Sequence, residues 1–69
     1  MLHLVSKKHA KYIIGDEIHI ASINGYEMWD MVDEDIADDL LAYSTSIDGL
    51  TFPDVLEIVT EIRKELDGL

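Results

Sequence analysis

The chain has 69 residues, of which fifteen are Asp or Glu and five are Lys or Arg, so its formal net charge is −10 although 48% of its residues are hydrophobic. A chain of this length forms one domain (1–69) with a thin core, and because it contains no Cys, disulfides and thiolate zinc sites are excluded. We therefore expect a homodimer to supply stability that the core of one copy lacks.

The net charge also excludes classes of partner. DNA, RNA and the cytoplasmic leaflet are polyanions that repel a strongly acidic chain, so we expect no direct nucleic-acid or membrane binding. No apolar run approaches the roughly 18 residues of a membrane span, and no basic region of a signal peptide precedes the first apolar residues. The expected location is the cytoplasm, that of the host if the protein is viral.

The segment 1–31 has the composition of β-structure, because runs of β-branched residues are separated by turn-forming residues. We predict strands at 2–5, 12–14 and 18–23. Asn24-Gly25 is the dipeptide that best fits a two-residue hairpin turn. The register set by this turn pairs Ile23 with Tyr26, Ile20 with Trp29, Ile18 with Met31 and His19 with Asp30.

After residue 32 the apolar period changes from two to 3.6. Residues at helical spacing predict a helix over 33–47: Val32, Ile36, Leu40, Tyr43 and Ile47. A second helix over 52–67 has Thr51 as its N-cap, with Pro53 and Asp54 in its first turn. The predicted fold class is therefore α+β, with a small antiparallel sheet of three or four strands followed by two α-helices.

The acidic residues are segregated along the chain. No Lys or Arg occurs between residues 12 and 62, a stretch that holds thirteen of the fifteen acids. The predicted helices carry two rows of carboxylates: Asp33, Glu34, Asp35, Asp38 and Asp39 in the first, and Asp54, Glu57, Glu61 and Glu65 in the second. Four residues of helix advance about 6 Å, a distance of the same order as the spacing of phosphates along one DNA strand.

In size and charge character the chain resembles viral DNA-mimic inhibitors, and no motif extends the likeness. The resemblance implies a phage-encoded, non-enzymatic protein that inhibits a basic, nucleic-acid-handling protein by occupying its DNA-binding surface. The carboxylate rows would supply the charge, and Tyr26 and Trp29 the apolar anchors. The simpler alternatives are that the charge only keeps the domain soluble and that the aromatic residues belong to its core.

A second functional hypothesis is a small regulatory or assembly subunit. The second predicted helix carries a short heptad seam that could dock on a larger protein or form the dimer interface: Val55, Val59, Ile62 and Leu66. Under this hypothesis the acidic residues are only a solvated surface.

Catalytic, metal and cofactor sites are not predicted. Asp33, Glu34 and Asp35 are consecutive, and because consecutive residues of a helix point in different directions, they cannot all converge on one ion. The sequence has no glycine-rich phosphate loop, no Cys nucleophile and no Gly-flanked Ser. We therefore expect no enzymatic activity and no cofactor.

Overall fold

The computed structural model describes residues 6–44, 46–47 and 49–68, and it is helical throughout its regular elements. Within these residues there are three α-helices: α1 (Lys7–Ile23), α2 (Asp33–Tyr43) and α3 (Phe52–Asp67). A 3-10 turn, Met28–Asp30, lies between α1 and α2. The predicted α+β class with its antiparallel sheet is therefore wrong, because the described part of the chain contains no strand.

The largest correction concerns α1, which replaces the predicted strands at 12–14 and 18–23; the predicted strand at 2–5 lies outside the described residues. Three apolar residues of α1, Ala10, Ile14 and Ile18, are four positions apart and at most 1% exposed. The helix penalty of a β-branched residue is at most about 0.7 kcal/mol. Because full burial of an Ile side chain contributes about 1.5–3 kcal/mol, packing outweighs local preference.

The ends of α1 are fixed by short-range hydrogen bonds. At the N-terminus, the Ser6 hydroxyl accepts from the backbone N–H of His9 at 3.2 Å. At the C-terminus, the N–H of Gly25 donates to Ser22 O at 3.0 Å and that of Tyr26 to Ala21 O at 2.8 Å. This is a Schellman motif, which requires the positive φ of 88° found at Gly25.

Asn24-Gly25 therefore ends a helix and does not form the predicted hairpin. The same physical property, the tolerance of Gly for positive φ, suits either role. Because residues 18–23 are helical, the predicted cross-strand pairs do not form: Ile23–Tyr26, Ile20–Trp29, Ile18–Met31 and His19–Asp30. Ile18 is buried in the core, whereas Ile20 and Ile23 are exposed.

The helix predicted over 33–47 begins where expected but ends four residues early, at Tyr43. Ser44 follows it in an extended conformation, with ψ at 124°. Ile47 is nevertheless buried, from a position outside the helix. Its burial is therefore explained by the loop that returns the chain towards α3, and not by helical periodicity.

The second predicted helix is confirmed as α3. Thr51 caps it, and the Asp54 carboxylate accepts from the Thr51 backbone N–H at 3.3 Å in return, which completes a capping box with Pro53 in the first turn. α3 packs against both α1 and α2. Val55 and Val59 are fully buried in this packing, so these two residues of the predicted dimer seam belong to the core of the single chain.

Candidate functional site

The acidic row of α3 faces basic residues of α1. Lys7 Nζ lies 3.1 Å from Glu57 Oε2 and 3.8 Å from Asp54 Oδ1. The hydrogen bond to Glu57 is the main reason that the pKa of Lys7 is raised. The pKa of Asp54 is lowered, chiefly by the hydroxyl and backbone N–H of Thr51 and further by Lys7.

One turn further along α1, Lys11 makes the equivalent contacts. Its Nζ lies 3.3 Å from Glu61 Oε1 and also pairs with Glu65, whose hydrogen bond is the main cause of the raised pKa of Lys11. We call these six residues the α1–α3 ion-pair seam: Lys7, Lys11, Asp54, Glu57, Glu61 and Glu65. All four carboxylates of the predicted binding row of α3 thus lie within ion-pair distance of a lysine of α1.

Asp33, the first predicted binding residue of α2, is also neutralised. Arg63 Nε lies 2.6 Å from Asp33 Oδ1, and Thr60 Oγ1 donates to Oδ2 at 3.1 Å. The same guanidinium donates to Met31 O at 2.8 Å and to Trp29 O at 3.3 Å, and its carbon lies 5.1 Å from the centre of the Trp29 ring. Trp29, predicted as an interface anchor, is therefore half-buried beneath Arg63 and joins the 3-10 turn to α3.

The remaining four carboxylates of α2 are in a different situation, and we call them the α2 acidic face: Glu34, Asp35, Asp38 and Asp39. None of them forms an ion pair with a Lys or Arg in the described part of the chain. The first three are exposed and Asp39 is half-buried. Asp39 Oδ2 accepts a hydrogen bond of 2.7 Å from the hydroxyl of Tyr26, which raises the Tyr26 pKa.

The charge density of this face is close to that of DNA. Its four carboxylates fall within six residues of one helix. Since each residue advances about 1.5 Å, the face carries about one negative charge per 2 Å, and duplex DNA carries about one per 1.7 Å. The structure thus places Glu34, Asp35, Asp38 and Asp39 on one helix, with Tyr26 hydrogen-bonded to Asp39. It assigns the other predicted carboxylates to ion pairs, and Trp29, Val55 and Val59 to packing. Of the remaining predicted seam residues, Ile62 is partly buried against the core and Leu66 is exposed.

The sequence contains a signal for the ion-pair seam that the β-structure prediction concealed. Lys7 and Lys11 are four residues apart, as are Glu57, Glu61 and Glu65. On two helices this spacing places both sets at the same interval along facing surfaces. A helical interpretation of residues 7–23, supported by the spacing of Ala10, Ile14 and Ile18, predicts the pairing.

No metal or membrane site is found in the part of the chain that the structure describes. Among residues 6–44, 46–47 and 49–68, no three His, Cys, Asp or Glu side chains are grouped so that they could hold an ion. No helix within those ranges is both long and apolar enough to cross a bilayer. His19, predicted to pair with Asp30, is instead an exposed residue of α1.

Comparisons with known proteins add no relative. No protein-family model matches this sequence, and neither the curated proteins nor the solved structures give a significant match.

Proposed function

We propose that the chain is a non-enzymatic interaction protein that binds the nucleic-acid-binding surface of a basic protein, and inhibits it, through the α2 acidic face. The observation that supports this proposal is that the carboxylates of α3 are paired with cations of the same chain, whereas those of the α2 acidic face are not. Lys7, Lys11 and Arg63 are all paired with carboxylates elsewhere, and none lies within ion-pair distance of the α2 acidic face. A basic surface with phosphate-sized spacing between its cations would complement that face.

Two like-charge pairs in the α2 acidic face oppose the stability that first-turn carboxylates give to a helix. Glu34 and Asp38 are four residues apart on α2, as are Asp35 and Asp39. Like charges at this spacing destabilise a helix by about 0.2–0.5 kcal/mol per pair. A surface with both signs of charge interspersed would replace these repulsive pairs by favourable ones. Retaining the repulsive pairs is consistent with a partner that supplies the missing cations.

A capture experiment tests the proposal. The full chain is immobilised and exposed to an extract of its native host, and the bound proteins are identified. We expect nucleic-acid-binding proteins that are released by competing duplex DNA. Their retention should fall by about tenfold or more between about 50 mM and about 200 mM salt, since exposed charge pairs are screened.

Two charge-reversal variants provide the matched comparison. Asp35→Lys/Asp38→Lys reverses two residues of the α2 acidic face and should abolish capture. Asp16→Lys/Asp67→Lys changes the net charge equally at exposed positions on α1 and α3 and should retain it at low salt. Capture that is insensitive to salt, or that survives the first variant, would show that the acidic face is not the binding surface.

A further inference from the structure

A recess lies beside the α2 acidic face, between the C-terminal halves of α1 and α2, with a volume of about 310 Å³. Its apolar floor is formed by Ala21, Met28 and Leu40, of which the last two are nearly buried. Tyr26 and Tyr43 form its walls, and they are 53% and 85% exposed. A cavity of this size with aromatic walls lies in the range of pockets that hold small groups.

Two carboxylates of the recess are held in place by hydroxyl groups. Glu17 Oε1 accepts from Ser44 Oγ at 2.6 Å, and Asp39 Oδ2 accepts from the Tyr26 hydroxyl at 2.7 Å. The second oxygen of each carboxylate has no hydrogen-bond donor among the described residues. No Lys or Arg of the described chain pairs with Glu17 or Asp39. The recess thus offers two oriented anionic acceptors above an apolar floor.

We propose that this recess receives one arginine side chain of the basic partner, an inference that rests on the proposed function and names its anchor point. The aliphatic part of an arginine would pack on the floor, and its planar guanidinium would donate to the free carboxylate oxygens and stack against a tyrosine ring. A lysine ammonium is a strongly hydrated point charge that lacks the plane and the five donors of the guanidinium. The recess therefore discriminates arginine from lysine.

Two peptides of equal charge, hexa-arginine and hexa-lysine, test this discrimination by titration against the full chain at about 50 mM salt. We expect both to bind, with hexa-arginine about fivefold tighter, the size expected of one cation–π contact at an exposed tyrosine. Tyr43→Ala should reduce the preference to less than about twofold. Tyr12→Ala, which removes another exposed tyrosine from α1, should leave it unchanged.

The outcomes separate this inference from the proposed function. Equal affinity for the two peptides, or a preference that survives Tyr43→Ala, would overturn the arginine recess and leave the binding of cationic partners intact. If neither peptide binds, both proposals are wrong. Because Tyr43 is 85% exposed, its replacement should not disturb folding, and an unchanged circular dichroism spectrum checks this.

Discussion

The acidic residues of α2 and α3 look alike in the sequence and differ in the structure. Both helices carry carboxylates at intervals of three and four residues. On α3 they face Lys7 and Lys11 of α1, whereas on α2 only Asp33 has a cationic partner among the described residues. The difference arises because α1 packs against α3. Net charge therefore says little about binding until the neighbours of each row are known.

The largest effect that we expect concerns Asp33, the one neutralised carboxylate of α2. Arg63→Ala would leave Asp33 Oδ1 and two backbone carbonyls without the guanidinium donor, although Thr60 still donates to Oδ2, and it would remove the contact with the Trp29 ring. Loss of such a half-buried network should destabilise the chain by about 2 kcal/mol, or about 10 °C in Tm. Thermal unfolding measures this loss. The control is Lys64→Ala at the neighbouring position, where no ion pair is found among the described residues. Equal Tm values for the two variants would contradict the assignment.

A smaller effect tests the capping box of α3, and the contact of Asp54 with Lys7, through the pH dependence of stability. Because Thr51 and Lys7 lower the pKa of Asp54 in the folded chain, the stabilisation is complete above the ordinary value of 3.8 and is lost as the pH falls through the lower folded value. The difference in unfolding midpoint between the wild type and Asp54→Asn should therefore be constant from about pH 5 to about pH 7 and narrow below about pH 3.8. A difference that widens on acidification would contradict this sign.

The next largest expected change in stability tests α1, the helix that places Lys7 and Lys11 against α3. Gly15 lies in its middle, and a Cβ added there would meet no atom within 4 Å. Gly15→Ala should stabilise the chain by about 0.5–1 kcal/mol, because Ala loses less backbone entropy in a helix. Gly25→Ala is the opposite control, since φ is 88° at that position and the variant should be less stable. A destabilising Gly15→Ala would count against a helix over this segment.

The smallest expected change in stability concerns the α2 acidic face. Asp38→Asn relieves the repulsion between Asp38 and Glu34 and should stabilise the chain by about 0.2–0.5 kcal/mol. Denaturant unfolding with unchanged m-value measures it. Asp16→Asn, at an exposed position on α1, removes the same charge and controls for the general effect of lowering the net charge. If Asp38→Asn is no more stable than this control, repulsion within the α2 acidic face does not destabilise the helix.

The sequence predicts those elements whose signals are local and unambiguous. Thr51, Pro53 and Asp54 mark the start of α3 because capping depends only on residues three positions apart. The three acidic residues from Asp33 mark the start of α2 by a different local signal, because carboxylates in a first turn interact favourably with the helix dipole. The predicted end of α2 at residue 47 is four residues too late, because Ile47 is buried from a loop at a spacing that continues the helical pattern.

The sequence misleads where one local signal suits two structures. Asn24-Gly25 suits a hairpin turn and a helix end equally, and β-branched residues such as Ile14 and Ile18 have only a weak preference for strands. The choice depends on burial against α3, which is a long-range contact. For the same reason the sequence predicts the nine carboxylates of the two rows as one class, although five of them form ion pairs within the chain.

The difference between the two rows is tested most directly by nuclear magnetic resonance. The backbone amide signals of the full chain are followed during titration with hexa-lysine at about 50 mM salt, a condition in which exposed charges are weakly screened. We expect shifts concentrated on residues 34–39, with little change at Glu57, Glu61 and Glu65, whose carboxylates already have lysine partners. Shifts of equal size on both rows, or larger shifts on α3, would contradict the assignment of binding to α2 and of packing to α3.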